Sequence, residues 1–381
     1  MSEPSDRTVP FFDYPALSRN DEQQLVEIFR DICRRGAYIS QSDMRDFEQE
    51  LARYVGARYV LGMANATDAL HLAVRAAGIG AGDEVLFSSH TMVATAAAVA
   101  YAGAKPIPVE CGADHLIEPD CLEEAITART RAIIPTQLNG RTAKMDAIME
   151  IAERHGLLVL EDAAQALGSR YRGRCAGTFG LASCVSFYPA KTLGCLGDGG
   201  CVITNDESIY RKLCLLRDHG RDERGEVITW GLNSRLDNLQ AAILRFKLPN
   251  YPETIERRRA IARRYQQRLG DLPGLVLPPA PDSHPDHYDI FQNYEIEADR
   301  RDALRAYLQQ RGVGTLVQWG GKAVHQFQGL GYRRELPRTE RLFQRLLLLP
   351  MNQLLSDQDV EYICDQICAF CEQQAIRRSA A

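Results

Sequence analysis

An acidic residue and a lysine stand out because each follows a short apolar run of the kind that forms a buried strand. Asp162 comes directly after LLVLE, and Lys191 lies between CVSFY and the glycine-rich segment GCLGDGG. In open α/β sheets ligands gather at the carboxyl ends of strands, where such an acid would lie. A lysine confined in a partly apolar site has a lowered pKa and can form a Schiff base with an aldehyde. Taken separately, the acid also fits the start of a helix and the lysine a surface position before a hairpin.

A third segment supplies a place for a phosphate group. The sequence NATDAL follows the strand-like RYVLGM, so that Ala66 and Thr67 open the next helix. Backbone amides at a helix N-terminus bind phosphate. An acid, a lysine and a phosphate cradle are together what pyridoxal phosphate requires, since Asp162 can pair with the ring nitrogen and Lys191 can hold the aldehyde and move a proton. These residues therefore predict a pyridoxal phosphate site.

The elements that must position these residues alternate between short strands and longer helices from about Leu51 to Thr204. Strands of this kind, separated by helices, form parallel βαβ units. The predicted fold class is therefore α/β, with a mostly parallel central sheet covered by helices on both faces. We expect strands at 58–63, 84–88, 106–109, 131–136, 157–161 and 182–187, and helices at 67–77, capped by a threonine, and at 92–101.

The character of the sequence changes after Trp230, and a smaller C-terminal α+β domain is predicted. A proline-rich segment, LPGLVLPPAPDSHP, fits neither a helix nor a central strand. We place a large domain at residues 1–250 and a smaller one at 251–381. We expect helices at 232–247, 253–268 and 300–311, of which the second has a solvated basic face. A last helix is expected to begin at a capping box formed by Ser356 and Asp359. Strands are expected at 293–297 and 314–319.

Composition limits the possible partners and surroundings of the chain. Its 381 residues carry 45 Lys and Arg against 50 Asp and Glu, and this net charge of −5 provides no basic field for nucleic acid or a membrane surface. No apolar run is long enough to span a bilayer, and the polar first residues lack the pattern of a secretory signal. Eleven cysteines, most of them in apolar runs, are typical of reduced thiols. We expect a cytoplasmic protein with neither nucleic acid nor membrane as a partner.

Three cysteines have a spacing that also occurs in iron–sulfur enzymes. Cys364, Cys368 and Cys371 follow the pattern C-x₃-C-x₂-C. On a helix these positions share one face and alternate with apolar residues, where cysteine behaves as a small hydrophobic side chain. Cluster ligands need a flexible loop, so we predict core packing here and no metal site in the chain.

Four stretches, in order along the chain, carry a resemblance to a known family. They are GDEV with SHTMVAT, EDAAQALGS, SFYPAKTLGCLGDGG and GLNSRLDNLQAAIL. Together they resemble the DegT/DnrJ/StrS aminotransferases, the nucleotide-sugar branch of the aspartate-aminotransferase fold, from about Pro10 to the last helix. The resemblance implies fold type I of the pyridoxal phosphate-dependent transferases, with Lys191 and Asp162 as the catalytic residues.

The resemblance also implies further contacts to the cofactor. Gln165 would lie near the ring hydroxyl, and Asn233 would reach the phosphate of the neighbouring subunit's cofactor, which implies a homodimer with shared active sites. Met92 takes the place of an aromatic residue that stacks on the ring in the family, and Gln137 takes the place of a histidine. The complete set of cofactor-binding residues implied by the resemblance is Ala66, Thr67, Met92, Asp162, Gln165, Ser186, Lys191 and Asn233.

The reaction implied by the resemblance is the transfer of an amino group from L-glutamate to a keto group of a nucleoside-diphosphate-linked deoxysugar, in amino-sugar biosynthesis. The segment GDGG at 197–200 favours amination at C3, because many family enzymes that act at C4 carry GEGG. A C4 aminotransferase, a dehydratase and a non-catalytic regulatory protein are the alternatives. Family dehydratases replace Lys191 by histidine, and a regulatory protein would have lost Lys191 or Asp162. The candidate contacts to the substrate are Tyr188, Trp319, Lys322 and His325.

Overall fold

Short strands and longer helices alternate through most of residues 7–379, the part of the chain that the computed structural model describes. The helices are α1 Tyr14–Arg19, α2 Glu22–Arg35, α3 Ser42–Val55, α4 Ala66–Ala76, α5 Val93–Tyr101, α6 Met145–His155, α7 Glu207–Leu216, α8 Asn238–Lys247, α9 Tyr251–Leu269, α10 Arg301–Gln309, α11 Pro337–Arg345 and α12 Asp357–Ser379. The strands are β1 Tyr59–Met63, β2 Glu84–Ser88, β3 Lys105–Val109, β4 Thr130–Ile134, β5 Leu158–Asp162, β6 Arg170–Tyr171, β7 Arg174–Cys175, β8 Ala182–Ser186, β9 Gly200–Thr204, β10 Leu275–Val276, β11 His287–Tyr288, β12 Tyr294–Ala298 and β13 Leu346–Leu349.

Seven strands form the central sheet, in the order β1–β9–β8–β5–β4–β2–β3. Neighbouring strands from β8 to β3 are parallel, whereas β9 is antiparallel to both β8 and β1. A parallel neighbour requires a crossover connection, usually a helix. The segment between β8 and β9 is a loop that carries Lys191, so β9 returns in the opposite direction. The predicted α/β class, with a mostly parallel sheet, is confirmed.

The two faces of this sheet pack against different helices. Leu160 and Cys184 belong to the core formed with α4, α5 and α7, whereas Val159 and Val185 face the opposite side, where α3, α6 and α8 lie. Because side chains alternate along a strand, Asp162 lies on the same face as Leu160. The alternation therefore directs this acid toward the layer of α4 and α5.

The helix predicted at 232–247 is shorter in the structure, where α8 begins at Asn238. The preceding residues are extended because they pair with the end of α7. The amide of Leu232 donates to the carbonyl of Leu216 at 2.7 Å, and the amide of Ser234 donates to the carbonyl of Arg217 at 2.9 Å. These backbone bonds hold the GLNSR segment out of the helix.

The C-terminal part is built on a second, antiparallel sheet, β10–β12–β13, which shares a core with α10 and α12. Val9 belongs to the same core, so the beginning of the chain packs with its end. The predicted capping box of α12 is confirmed, because the amide of Asp359 donates to the hydroxyl of Ser356 at 3.1 Å. The strand predicted at 314–319 is wrong. Leu316 alone pairs with β13 there, and the backbone turns at Trp319 with a φ of 53°.

The predicted solvated face of α9 is wrong for two of its arginines. Arg258 is 1% exposed and Arg259 is 2% exposed. The guanidinium of Arg258 donates to three backbone carbonyls at 3.0 Å, among them that of Phe291. Arg259 packs over the ring of Tyr288 at 4.2 Å. The buried guanidinium of Arg258 thus supplies the hydrogen bonds that these carbonyls would otherwise form with water.

Helix α9 contributes to both cores, since Ile255 packs with the large sheet and Ile261 packs with the C-terminal sheet. The domain boundary at residue 250 stays a prediction.

On α12, Cys364 is buried in the C-terminal core, with Cys368 and Cys371 partly buried against it. Within residues 7–379, no cluster of His, Cys, Asp and Glu side chains could hold a metal ion, and no helix has the length and hydrophobicity needed to cross a bilayer.

Candidate active site

A cavity of about 530 Å³ lies at the carboxyl ends of β5 and β8. Parallel sheets place their ligand sites at this edge. Of the twelve site residues predicted from the sequence, nine line this cavity. They are Ala66, Thr67, Met92, Asp162, Gln165, Ser186, Tyr188, Lys191 and Trp319. Residues that lie far apart in the sequence therefore meet in a single cavity.

Lys191 places its amine inside this cavity. Lys191 is partly buried, and its side chain remains accessible from the cavity. Burial lowers the pKa of Lys191 to about 8, against the opposing effect of the nearby Asp162 carboxylate. Among residues 7–379, no group accepts a hydrogen bond from this amine. An amine that loses its proton near neutral pH is prepared for nucleophilic attack.

Gln292 fixes the backbone on both sides of Lys191, a role that no pattern in the sequence indicated. Its Nε2 donates to the carbonyl of Ala190 at 2.9 Å, and its Oε1 accepts from the amide of Thr192 at 2.9 Å. Gly194 lets the loop fold back on itself, because a Cβ there would lie 2.6 Å from the carbonyl oxygen of Pro189. The lysine is therefore presented from a tightly constrained loop.

Asp162 ends β5 and is 6% exposed. Its Oδ2 accepts a hydrogen bond from the hydroxyl of Thr95 at 2.6 Å, and its Oδ1 accepts from the amide of Ala164 at 3.1 Å. The carboxylate is thus fixed at both oxygens while it lines the same cavity as Lys191.

The start of α4 forms another wall of the cavity. Asn65 caps this helix, because its Oδ1 accepts from the amide of Asp68 at 2.8 Å, so the predicted threonine cap is wrong. The amides of Ala66 and Thr67 have no acceptor within residues 7–379. Glycine is required at position 200, since a Cβ there would lie 2.5 Å from the carbonyl carbon of Asn65. The hydroxyl of Ser186, at the end of β8, lines the same cavity.

The other predicted cavity residues differ in how firmly they are held. Gln165 is 9% exposed, and its Oε1 accepts from the amide of Asn139 at 2.9 Å, which leaves its amide nitrogen available as a donor. Met92 and Tyr188 are each 48% exposed and present apolar surface to the cavity. Trp319 reaches it from the turn between α10 and α11. Gln165 is therefore the rigid polar member of this group.

Three predicted site residues do not line this cavity. Asn233 is exposed on the segment before α8, and Lys322 is exposed in the loop after Trp319. His325 is 6% exposed, with ring nitrogens 2.7 Å from the hydroxyl of Ser89 and 3.1 Å from a carboxylate oxygen of Glu340. In a single subunit His325 therefore links two segments of the protein.

Gln137, which stands where the family has a histidine, is fully buried away from the cavity. Its Nε2 donates to Glu161 at 2.8 Å, and its Oε1 accepts from the amide of Ala143 at 2.7 Å. Glu161 also accepts from the amide of Gly177 at 2.8 Å. Gln137 thus stabilises a buried carboxylate beneath the site.

A buried polar cluster lies behind the cavity, and sequence reasoning missed it. Glu295 is 2% exposed, and its carboxylate lies 2.8 Å from His115 and 3.5 Å from His90. Asn139 connects this cluster to the cavity, because its side chain donates to Glu295 at 3.0 Å while its backbone amide bonds Gln165. Asn139 has a φ of 55°, which asparagine tolerates better than most residues.

Charge pairing changes the pKa values of this cluster. Burial alone would lower the pKa of His115, but hydrogen bonds to Glu295 and Glu297 outweigh it and raise the pKa from 6.5 to about 9. Burial would raise the pKa of Glu295, but His90 and His115 outweigh it and lower the pKa from 4.5 to about 2. Both groups are therefore charged over a wide range around neutral pH.

Replacing Glu295 with glutamine is expected to cost about 3 kcal/mol of unfolding free energy at about pH 6, because a buried charged partner is left behind. The stabilisation of the native protein by His115 is complete below pH 6.5 and is lost as the pH rises through about 9. The difference between Glu295→Gln and the native protein should therefore shrink at high pH. Urea unfolding at several pH values measures it, with the exposed Glu153→Gln as the control. A difference independent of pH would contradict the pairing.

The donors and acceptors of the cavity fit pyridoxal phosphate. The free amides of α4 and the hydroxyl of Ser186 suit a phosphate, the unpaired amine of Lys191 suits an aldehyde, and the carboxylate of Asp162 suits a protonated ring nitrogen. An α/β fold with this site defines a pyridoxal phosphate-dependent transferase. The chain belongs to the DegT/DnrJ/EryC1/StrS aminotransferase family, whose profile matches residues 19–368. The predicted family, fold class and cofactor are thus confirmed.

Similarity to known proteins extends over almost the whole chain. It is 40% identical over 373 residues to a pleiotropic regulatory protein of Geobacillus stearothermophilus, covering 95% of this chain and 98% of that protein. It is 39% identical over 372 residues to a dTDP-3-amino-3,4,6-trideoxy-alpha-D-glucose transaminase of Streptomyces venezuelae, covering 96% of each. The crystal structure of S. venezuelae DesV in complex with a ketimine intermediate matches with a TM-score of 0.92 at 39% identity, over 96% of this chain and 99% of that chain.

Proposed function

We propose that this enzyme transfers an amino group from L-glutamate to C3 of a keto sugar linked to a nucleoside diphosphate, in amino-sugar biosynthesis. The observation that carries the proposal is that the amine of Lys191 and the carboxylate of Asp162 face one cavity of about 530 Å³, a size typical of small-molecule sites. The similarity to a transaminase named for a 3-amino sugar supports C3, as does the GDGG segment at 197–200.

Each of the main side chains of the cavity has a separate role in this reaction. Pyridoxal phosphate, when bound, supplies an aldehyde that takes up an amino group and a ring that withdraws electrons. Lys191 holds the aldehyde and, once displaced by the amino donor, takes up and returns a proton at Nζ. Asp162 keeps the proton on the ring nitrogen. The amides of Ala66 and Thr67 bind the phosphate, together with the hydroxyl of Ser186.

The remaining contacts set the position of the ring and the substrate. Gln165 offers its free amide nitrogen to the ring hydroxyl, and Met92 covers one face of the ring with a flexible apolar side chain. Tyr188 and Trp319 line the side of the cavity that we assign to the sugar. Lys322 and His325 would reach the substrate only from outside this cavity, so we expect smaller effects when they are replaced.

A substrate panel tests the proposal and its alternatives. The loaded enzyme is incubated with L-glutamate and matched 3-keto and 4-keto nucleotide sugars, and 2-oxoglutarate and the amino sugar are quantified. We expect equal amounts of both products with a 3-keto sugar. Turnover of 4-keto sugars alone would reject amination at C3. Absence of turnover with every sugar, despite bound cofactor, would favour the regulatory alternative that the name of the Geobacillus relative raises.

We further propose that the enzyme is a homodimer with shared active sites. Asn233 is exposed and does not line the cavity of its own subunit. The segment that precedes it carries large exposed apolar side chains, since Val227, Ile228 and Trp230 are 63%, 60% and 88% exposed. Exposed apolar surface of this kind is typical of protein interfaces. A second copy of the chain would cover it and bring Asn233 to the cofactor phosphate of that copy.

Replacing Asn233 with alanine is expected to weaken cofactor binding about 10-fold, since one hydrogen bond to a charged phosphate is lost. The dissociation constant of the cofactor, measured by absorbance titration, checks this value. Hybrids of Asn233→Ala subunits with Lys191→Ala subunits provide the stronger test. If the sites are shared, each hybrid contains one fully native site and regains native cofactor affinity. A hybrid in which the cofactor affinity stays low, or an active monomer, would reject the shared site.

We place the protein in the cytoplasm. All eleven cysteines are free thiols, and six of them are buried. Secreted proteins form disulfides between thiols more often than they retain them. Localisation of the tagged protein by cell fractionation tests this proposal.

A further inference from the structure

Three buried threonines line the cavity beside Asp162. Thr91 and Thr95 are each 1% exposed, and Thr136 is 4% exposed. They come from three places: the loop before α5, the first turn of α5 and the segment after β4. A buried hydroxyl costs free energy unless it is hydrogen-bonded, and valine would fill the same volume without that cost. These three hydroxyls are therefore expected to be hydrogen-bonded.

The three hydroxyls form a continuous chain that ends on the acid. Thr136 Oγ1 donates to Thr91 Oγ1 at 3.0 Å, Thr91 and Thr95 Oγ1 lie 2.7 Å apart, and Thr95 Oγ1 donates to Asp162 Oδ2 at 2.6 Å. An ionised carboxylate can only accept, so the single proton of Thr95 is committed to Asp162. Thr91 must then donate to Thr95. All the bonds consequently run in one direction, toward the carboxylate.

The backbone closes this chain into a ring. The residues on either side of Thr136 bond the backbone of Asp162, because the amide of Asp162 donates to the carbonyl of Pro135 at 3.0 Å and its carbonyl accepts from the amide of Gln137 at 2.8 Å. Oδ1 is held independently by the amide of Ala164 at 3.1 Å. The carboxylate therefore cannot rotate without breaking hydrogen bonds at both of its oxygens.

We propose that Thr136, Thr91 and Thr95, here called the threonine relay, are positioning residues that hold the Asp162 carboxylate in one orientation beneath the ring nitrogen of the cofactor. The inference rests on the proposed role of Asp162. Hydrogen bonds in such a chain polarise one another, so the hydroxyl farthest from the acid contributes to the strength of the last bond. Thr136 and Thr91 act through their neighbours, and of the three hydroxyls only that of Thr95 bonds the acid.

Isosteric replacements of the threonines test the relay, and the measured quantity is the protonation of the cofactor's ring nitrogen. With cofactor labelled at that position, nitrogen-15 NMR reports its protonation and hydrogen bonding independently of turnover. In Thr95→Val the signal should move toward the unprotonated form, and kcat should fall about 10-fold, as expected for one lost hydrogen bond to a charged group, with little change in KM for glutamate. Thr95→Ser should restore both. Thr136→Val, which leaves the contact with Asp162 intact, should shift the signal in the same direction by less.

The outcomes distinguish failure of the relay from failure of the proposed function. If Asp162→Asn shifts the nitrogen signal and the three Thr→Val variants do not, the relay is rejected and the role of Asp162 stands. If Thr95→Val alone has an effect, Thr95 is a single contact and the relay is likewise rejected. If Asp162→Asn leaves the signal unchanged, the role of Asp162 in the proposed function is rejected. Thr136→Val keeps the test available should Thr95→Val not fold.

Discussion

Lys191→Ala is expected to remove the visible absorption of the lysine-linked cofactor and to lower kcat by about 10⁴-fold, the upper end of what a positioned general acid–base contributes. In the proposed mechanism the side chain is both the covalent attachment point and the group that moves the proton, so one substitution removes both functions. The fold should persist, because the change takes a buried amine with no hydrogen-bond partner out of a cavity. Absorbance spectra and single-turnover kinetics with glutamate measure the two effects.

An ordinary surface lysine provides the matched control. The side chain of Lys105 is 69% exposed and lies on the edge strand β3, away from the cavity. Lys105→Ala should keep the native spectrum and rate. A Lys191→Ala protein that retained the native absorption band would show that another residue binds the aldehyde. Native kcat with a lost band would remove the proposed proton transfer.

Asp162→Asn should retain bound cofactor and lower the rate of reaction with glutamate by about 10²–10³-fold, the effect typical of losing one preorganised electrostatic contact. Asparagine keeps the shape of the side chain but carries no charge, so the ring nitrogen loses the partner that we propose stabilises its proton. The loss should appear in the rate of the first half-reaction, followed by stopped-flow absorbance, and only weakly in the concentration of glutamate at half saturation.

The control for this substitution is Asp271→Asn, at an exposed position after α9. It should leave the half-reaction unchanged. A near-native rate in Asp162→Asn would remove the acid from the mechanism. If the cofactor were lost altogether, the acid would be required for binding, and its effect on the reaction could then be measured with excess cofactor.

Local sequence was sufficient for the parts of the site that lie next to strand ends. Asp162 follows an apolar run, and Lys191 lies between such a run and a cluster of glycines, so the sheet edge that brings them together follows from the order of the elements. The predicted start of α4 lies within one residue of the observed start, although the predicted threonine cap is wrong. Asn65 takes that role because its extended backbone directs Oδ1 to the amide of Asp68.

Contacts that depend on tertiary structure left no local pattern. Gln292 reaches the Lys191 loop from a segment 101 positions later in the sequence. Arg258 looks like a surface residue in a basic helix, and only the carbonyls exposed by turns in the C-terminal part explain its burial. Thr91 and Thr95 likewise left no helical pattern, because Thr91 lies in the loop before α5 and only Thr95 is in the helix.

The attachment point of the cofactor tests the central claim most directly. The chain contains six lysines, at positions 105, 144, 191, 212, 247 and 322, so borohydride reduction of the loaded protein followed by peptide mass spectrometry distinguishes among them without ambiguity. We predict one pyridoxyl group per subunit, on Lys191, and none after prior treatment with glutamate, which displaces the lysine. Label on any other lysine, or no label on a protein that contains cofactor, would contradict the account.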